Sequence, residues 1–179
     1  TVFDTSFSAD LTVIEEANEL VYKLKNGEQK YPLGNSLPLF TSCCPAWVRF
    51  VETKHPELLP YVSTCKSPME MFGAVLKEYY KPADEEAGME TVSVAVMPCV
   101  AKKHEAAREE FKRNEVPDVD YVITTKELIL MIKELGIQFD EIEPSAPDMP
   151  FSINSGAGVI FGVTGGVMEA ALRHVADKN

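Results

Sequence analysis

Residues 91–99 read TVSVAVMPC, and this stretch decides the fold class. Its valines recur at every second position, which is the period of a β-strand, and Pro98 ends the run because it has no amide hydrogen to donate. Cys99 is therefore predicted at the carboxyl end of a strand. The charged stretch from Lys102 to Arg113 predicts an exposed helix after this cysteine.

The same order of strand and helix returns downstream. Tyr121-Val122-Ile123 predicts a second strand, and Thr124 with Glu127 predicts a capping box for a helix that runs to Gly136. The helical period points four apolar side chains inward: Leu128, Met131, Ile132 and Leu135. Repeated strand–helix order favours an α/β lobe with a largely parallel sheet flanked by helices. In such a lobe, functional loops lie at the carboxyl ends of the strands.

An amphipathic helix is predicted near the amino terminus, over residues 12–26. Thr12 and Glu15 are spaced as a capping box, and Gly27 is a stop signal. Glu16 and Glu19 lie one turn apart on this helix, so both can face the same neighbour.

Three more helices are indicated by their start signals. Pro45 fits the first turn of one helix, and Ser67-Pro68 opens another that runs through Tyr79 and ends before Pro82. A last helix with Val167 to Val175 follows the glycine-rich residues 155–166. That glycine-rich segment lacks the third glycine of a dinucleotide loop, so it indicates close backbone packing, or close approach of the backbone to a bulky cofactor.

Four cysteines, at positions 43, 44, 65 and 99, favour metal binding or catalysis over a disulfide framework in a chain of this size. The side chains of Cys43 and Cys44 leave adjacent positions in different directions, so one can bind metal while the other points elsewhere. Zinc is disfavoured because paired C-x-x-C spacing is absent. Cys65 fits a buried apolar position, and the three histidines have no ligand spacing.

Composition narrows the classes of partner. The net charge of −11, without a basic cluster, argues against nucleic acid binding. The acidic excess serves solubility, or forms a docking face for a basic electron-transfer partner. No apolar run is long enough to span a membrane. The length suits one domain, and a start at Thr1 without Met leads us to expect a piece of a longer protein.

Three stretches carry a resemblance to one family. Residues 41–47 (TSCCPAW) resemble the first active-site motif of the iron-only (FeFe) hydrogenases, and residues 97–105 (MPCVAKKHE) resemble the second. Residues 155–173 (SGAGVIFGVTGGVMEAALR) resemble the segment that leads toward the third, two-cysteine motif, which is absent here. The resemblance implies that residues 1–179 are one α/β lobe of the hydrogenase catalytic domain.

The resemblance implies a cofactor and the residues that hold it. The family's H-cluster is a 4Fe-4S cluster joined to a two-iron subcluster with CO, CN and a dithiolate amine. Cys44 and Cys99 match two cysteine ligands of the 4Fe-4S cluster. Lys102 matches the lysine that donates to cyanide, and Glu105 matches an acidic residue that holds its loop. Met97 and Phe161 match apolar residues that pack around the two irons.

A proton route is implied as well. Cys43 resembles the family's proton-shuttling thiol, and Glu16, Ser63 and Glu19 match a chain of groups that leads from it to the surface. Met69 departs from the family pattern, because many members carry Gln there.

The implied function is the reversible interconversion of protons and electrons with dihydrogen, with ferredoxin or another electron-transfer protein as partner. A cytoplasmic protein is expected, or a periplasmic one if the parent protein is exported. The alternative is a non-catalytic relative in iron-sulfur protein assembly or sensing. The joint presence of Cys43, Lys102, Glu16, Glu19 and Ser63 favours catalysis.

Overall fold

The computed structural model describes residues 1–26 and 37–177, so the predicted stop at Gly27 lies outside it. These residues form seven α-helices: α1 (Ser6–Asn26), α2 (Pro45–Lys54), α3 (Pro68–Glu86), α4 (Ala101–Ala106), α5 (Thr125–Glu134), α6 (Gly156–Phe161) and α7 (Gly166–Asp177). Four strands join them: β1 (Val94–Met97), β2 (Lys112–Arg113), β3 (Val116–Pro117) and β4 (Tyr121–Thr124). Short 3-10 turns cover Pro56–Tyr61, Glu109–Phe111 and Phe139–Glu141.

Strands β1 and β4 pair in parallel, as the sequence predicted. Val94 lies opposite Tyr121 and Met97 opposite Thr124, and α5 packs against both strands. The capping box of α5 is confirmed, because Thr124 accepts from the amide of Glu127 while the Glu127 carboxylate accepts from the amide of Thr124. The α/β lobe with a parallel sheet flanked by helices is therefore confirmed. Cys99 leaves the carboxyl end of β1.

The first helix begins earlier than predicted. It starts at Ser6, whose amide donates to the Asp4 carboxylate at 2.9 Å. The predicted capping box of Thr12 and Glu15 is wrong, since Thr12 lies inside the helix, fully buried, with its hydroxyl 3.3 Å from the sulfur of Met71. The tertiary contact with α3, rather than capping, explains a threonine at that position.

The region after Cys99 also differs from the prediction. In place of one exposed helix from Lys102 to Arg113, α4 spans six residues and a β2–β3 hairpin follows. Asn114 and Glu115 adopt positive φ angles of 49° and 68°, and this left-handed turn reverses the chain.

Helix α1 packs against α3, α6 and α7. The approach to α6 is close, because a Cβ at Gly158 would lie 2.7 Å from the carbonyl oxygen of Ser6. Gly166, at the start of α7, is similarly blocked by the carbonyl of Ile160. At these two positions the glycine-rich segment serves backbone packing. The described part of the chain contains no helix that could cross a membrane.

Two boundary or packing predictions fail at the helices that flank the sheet. Helix α3 continues past Pro82 to Glu86, although Pro82 has no amide hydrogen to donate within the helix. On α5, Leu128 and Ile132 are half-buried as expected, but Met131 and Leu135 remain exposed. Within residues 1–26 and 37–177, nothing covers that face of α5.

Candidate active site at the cysteine loops

Two neighbouring loops carry three of the predicted site residues, Cys43, Cys44 and Ser63. Phe40 and Val62 form a parallel β-bridge, in which the Ser63 amide donates to the Phe40 carbonyl at 2.7 Å. Two residues further along each loop, the Ser42 hydroxyl donates to the Cys65 carbonyl at 2.6 Å. The loop that carries Cys43 and Cys44 therefore lies beside the loop that carries Ser63.

Cys44 caps the amino terminus of α2. Its backbone is extended, Pro45 occupies the first helical position, and its carbonyl accepts from the Val48 amide at 3.0 Å. The Cys44 side chain is exposed, and it lines a cavity of about 390 Å³ together with Trp47 and Met168. Its position at a helix start matches the sequence prediction.

Lys102 ties the second cysteine motif to the first. Its Nζ atom donates to the carbonyl oxygen of Cys43 at 2.8 Å and to the Glu105 carboxylate at 2.7 Å. Glu105 is only 3% exposed, so this pair holds α4 against the Cys43–Cys44 loop. Cys99, three residues before Lys102, is exposed like Cys44.

A second tie joins the same two segments. Arg108, just after α4, donates to both carboxylate oxygens of Glu52 on α2. This hydrogen bonding is the main reason that the pKa of Glu52 lies below its usual value. The sequence predicted neither this pair nor the bond from Lys102 to the Cys43 backbone.

Glu16 is buried directly behind these loops. It is 1% exposed, and among the described residues neither carboxyl oxygen accepts a hydrogen bond of ordinary geometry. Burial raises its pKa to about 7, the charge of Glu19 adds to the rise, and the Ser42 backbone and Ser63 hydroxyl oppose it. A carboxyl group with this pKa can change its protonation state near neutral pH.

Glu19 is also buried, but it is well partnered. One carboxylate oxygen accepts from the Ser63 hydroxyl at 2.8 Å and from the Thr64 amide at 3.1 Å. The other lies 3.0 Å from Nζ of Lys23, which is as deeply buried as Glu19. The sequence offered a signal for this pair, since Lys23 follows Glu19 by four residues on one helix.

Cys43 and Cys65 both hold their protons tightly. Burial, followed by the charge of Glu16, raises the pKa of Cys43 to about 11, although Lys102 opposes the rise. Burial raises the pKa of Cys65 to about 12, and its sulfur lies 3.8 Å from the Glu19 carboxylate. The sequence suggested a buried apolar position for Cys65. The residue is instead half-buried, with its thiol against a carboxylate.

The two apolar site residues lie in different surroundings. Met97 is buried at the end of β1 against Met69 and Val119, and it lines a cavity of about 700 Å³. Phe161 is half-buried at the end of α6 and is not among the residues that line the Cys44 cavity. In the described part of the chain, Met168 on α7 lines that cavity instead. Met168 was missed because a lone methionine in a helix carries no sequence signal.

Within residues 1–26 and 37–177, no three His, Cys, Asp or Glu side chains converge on a metal-binding position. In the described part of the chain, Cys44 and Cys99 are the exposed cysteines, and their motifs are joined by the bond from Lys102 to the Cys43 carbonyl. Soft thiolate ligands of this kind suit an iron-sulfur cluster.

The family model for the C-terminal domain of the iron-only hydrogenase large subunit matches residues 1–179. The chain belongs to the iron-only hydrogenase family. It is 49% identical over 175 residues to the NADP-reducing hydrogenase subunit HndD of Solidesulfovibrio fructosivorans, a match that covers 96% of this chain and 29% of that protein. The chain thus spans less than a third of that relative.

A solved structure and a second kind of relative extend the comparison. The apo FeFe hydrogenase HydA1 of Chlamydomonas reinhardtii matches with a TM-score of 0.78 and 45% identity, over 97% of this chain and 42% of that one. The cytosolic Fe-S cluster assembly factor narfl of Xenopus tropicalis is 33% identical over 99% of this chain and 38% of its own length. The chain is therefore similar both to hydrogenases and to an assembly factor.

Proposed function

We propose that residues 1–179 form one lobe of a hydrogenase catalytic domain that reversibly interconverts protons and electrons with dihydrogen. The observation that carries the proposal is the burial of two carboxyl groups, Glu16 and Glu19, near the Ser63 hydroxyl, which donates to Glu19 at 2.8 Å. Burying two carboxyl groups so close together opposes folding. A proton-transferring enzyme uses such groups to carry protons through its interior, and this use supports the proposal.

Cys44 and Cys99 are the proposed metal ligands. Each would supply one thiolate to a 4Fe-4S cluster that is joined to a two-iron subcluster with CO, CN and a dithiolate amine. When bound, this H-cluster supplies the site at which dihydrogen is split or formed. Two observations support this assignment. Both cysteines are exposed, and the hydrogen bond from Lys102 to the Cys43 carbonyl joins the two motifs that carry them.

Four further residues would surround the cofactor. Lys102 presents a positive charge whose place is fixed by Glu105, and such a charge orients and tunes a cofactor that it does not ligate. Met97 and Phe161 supply apolar surface that excludes water. Met69, in the same buried cluster as Met97, extends this apolar surface where many family members carry Gln.

Cys43 would begin the proton route. Its thiol stays protonated at neutral pH, so it can give a proton toward the cofactor and take one back from Glu16. Ser63 links Glu16 to Glu19. Thr64 is exposed, and its hydroxyl lies 3.4 Å from the Glu19 carboxylate, so Thr64 gives the buried relay a contact with solvent.

The partners follow from the reaction. Protons and dihydrogen are the substrates, and ferredoxin or another electron-transfer protein exchanges the electrons. The prevailing direction is set by accessory clusters and subunits outside this chain. A cytoplasmic place is proposed, with the periplasm as the alternative for an exported parent protein.

The second candidate function is a non-catalytic role in iron-sulfur protein assembly or sensing, which the 33% identity to an assembly factor supports. Catalytic isotope exchange between dihydrogen and deuterated water, measured on the full-length, cofactor-loaded protein, separates the two functions. We expect exchange in the wild type, its near loss in Cys43→Ala, and its retention in Cys65→Ala. A wild type that holds its cofactor but exchanges no hydrogen would favour assembly or sensing.

A further inference from the structure

Glu70 is a buried carboxyl group that the proposed reaction does not use. It lies in the first turn of α3 and is 0% exposed. Among the described residues, neither of its carboxyl oxygens accepts a hydrogen bond. Such a group is costly to bury in ionised form, because nothing replaces the water that it loses.

Helix capping does not explain this carboxyl. Ser67 and Glu70 have the same spacing as Thr124 and Glu127, and in both helices the hydroxyl accepts from the glutamate amide. In α5 the Glu127 carboxylate returns the bond, to the Thr124 amide at 2.7 Å. The Glu70 carboxyl makes no such bond and is buried instead, so its position serves something other than the helix end.

The charges around Glu70 leave it without a counter-ion. Lys66 pairs with Asp118, and Lys102 pairs with Glu105. Three carboxyl groups therefore face two ammonium groups, and both ammonium groups already have partners. A proton on Glu70 makes the cluster neutral.

The electrostatics agree with this count. Burial raises the pKa of Glu70 to about 8, and the charges of Glu105 and Asp118 raise it further while Lys102 and Lys66 oppose them. By contrast, hydrogen bonds from Lys103 and Thr124 lower the pKa of Glu127 to about 2. Two glutamates at equivalent helix positions are thus held in opposite protonation states at neutral pH.

Resting on the function proposed above, we propose that Glu70 is a positioning residue that holds one proton and thereby fixes where Lys102 places its ammonium group. With Glu70 neutral, Lys102 remains between the Cys43 carbonyl and Glu105. When Glu70 releases its proton to solvent, a third carboxylate competes for that ammonium. Lys102 then moves away from the cofactor-binding loop.

The first test uses the full-length protein without its cofactor and needs no activity. Infrared difference spectra across a pH titration report the loss of protonated carboxyl groups. Wild type should show one component with a midpoint near 8 and another near 7, assigned to Glu70 and Glu16. Glu70→Gln should lack the first component and Glu16→Gln the second. The proposal is overturned if the component with a midpoint near 8 persists in Glu70→Gln. It is also overturned if that component is absent from both wild type and Glu16→Gln.

The second test uses the cofactor-loaded protein. The cyanide stretching bands should shift through the same pH range in wild type and stay constant in Glu70→Gln, which mimics the protonated group. Glu70→Met provides a second neutral side chain if Gln does not fold. Equal pH shifts in wild type and variant, or none in either, contradict the role in placing Lys102. If the loaded protein catalyses no isotope exchange between dihydrogen and water but the Glu70 and Glu16 carboxyl groups titrate as expected, only the proposed function is contradicted.

Discussion

The ammonium group of Lys102 lies 2.8 Å from the carbonyl oxygen of Cys43 and 2.7 Å from the carboxylate of Glu105. One side chain thus joins the two cysteine motifs, which are separated by more than fifty residues in the sequence. Glu105 is buried, and among the described residues Lys102 is the only cation that forms an ion pair with its carboxylate.

Replacing Lys102 with Met should therefore destabilise the lobe. The variant leaves the Glu105 carboxyl buried without a partner, which costs about 3 kcal/mol. The neighbouring Lys103→Met breaks only the exposed pair with Glu127 and should cost much less stability, because solvent screens exposed ion pairs. Urea unfolding of both variants measures the loss in the free energy of unfolding. Equal losses would show that Lys102 contributes no more to stability than Lys103.

Glu16→Gln should slow turnover strongly and leave the infrared bands of the cofactor unchanged. Gln preserves the shape of the side chain but cannot take up and release a proton. Activity and infrared spectra are measured on the same loaded sample. A shifted cyanide or carbonyl band would indicate that Glu16 shapes the cofactor site instead of moving protons.

The same variant should change the pH dependence of stability. The pKa of Glu16 is raised from 4.5 to about 7, so the folded state holds the proton more tightly than the unfolded state. The stabilising contribution is complete below pH 4.5 and is lost as pH rises through 7. Glu16→Gln does not ionise, so at higher pH its free energy of unfolding should exceed that of wild type by roughly 3 kcal/mol. Exposed Glu15→Gln is the control and should follow wild type.

Lys23 should support both stability and proton transfer through Glu19. Lys23→Met leaves the buried Glu19 carboxylate without its counter-ion, at a cost of about 3 to 5 kcal/mol. Adding Glu19→Gln should recover most of that stability but not the turnover, because Gln carries no exchangeable acid proton. The exposed Lys25→Met is the control. Recovery of turnover in the double variant would exclude Glu19 from the route.

The sequence predicted local features best. The capping box at Thr124 and Glu127 depends on residues three apart, and it is confirmed. The start of α1 was wrong because the Asp4 carboxylate binds the Ser6 amide upstream of a threonine that only resembled a cap. Parallel pairing of β1 and β4 followed from the alternation of strands and helices.

Burial of charge could not be predicted in the same way. Glu70 has the sequence spacing of a capping residue, yet tertiary packing encloses it beside two ion pairs. Thr64 acquires its role only because the Ser63 loop folds against α1, whereas the Lys23–Glu19 pair lies within α1 itself. The resemblance placed Glu16, Glu19 and Ser63 in one route, but their surroundings depend on three segments that meet in the fold.

Cys44→Ala and Cys99→Ala should each lose the iron-sulfur cluster from the full-length protein, because the cluster is left with an iron that has no thiolate. Cys65→Ala should retain it, since the Cys65 thiol lies against Glu19 rather than in the Cys44 cavity. Iron and sulfide content, with the visible absorption of the cluster, are the measurements. Normal cluster content in either Cys44→Ala or Cys99→Ala would remove that cysteine from the ligand set.

A crystal structure of the full-length protein with its cofactor tests the central claim most directly. The account predicts that the sulfurs of Cys44 and Cys99 bind iron atoms of the same cluster, and that the Cys43 sulfur binds none and faces the cofactor from the side of Glu16. Cys43 bound to iron, or Cys44 and Cys99 on separate metal centres, would contradict it.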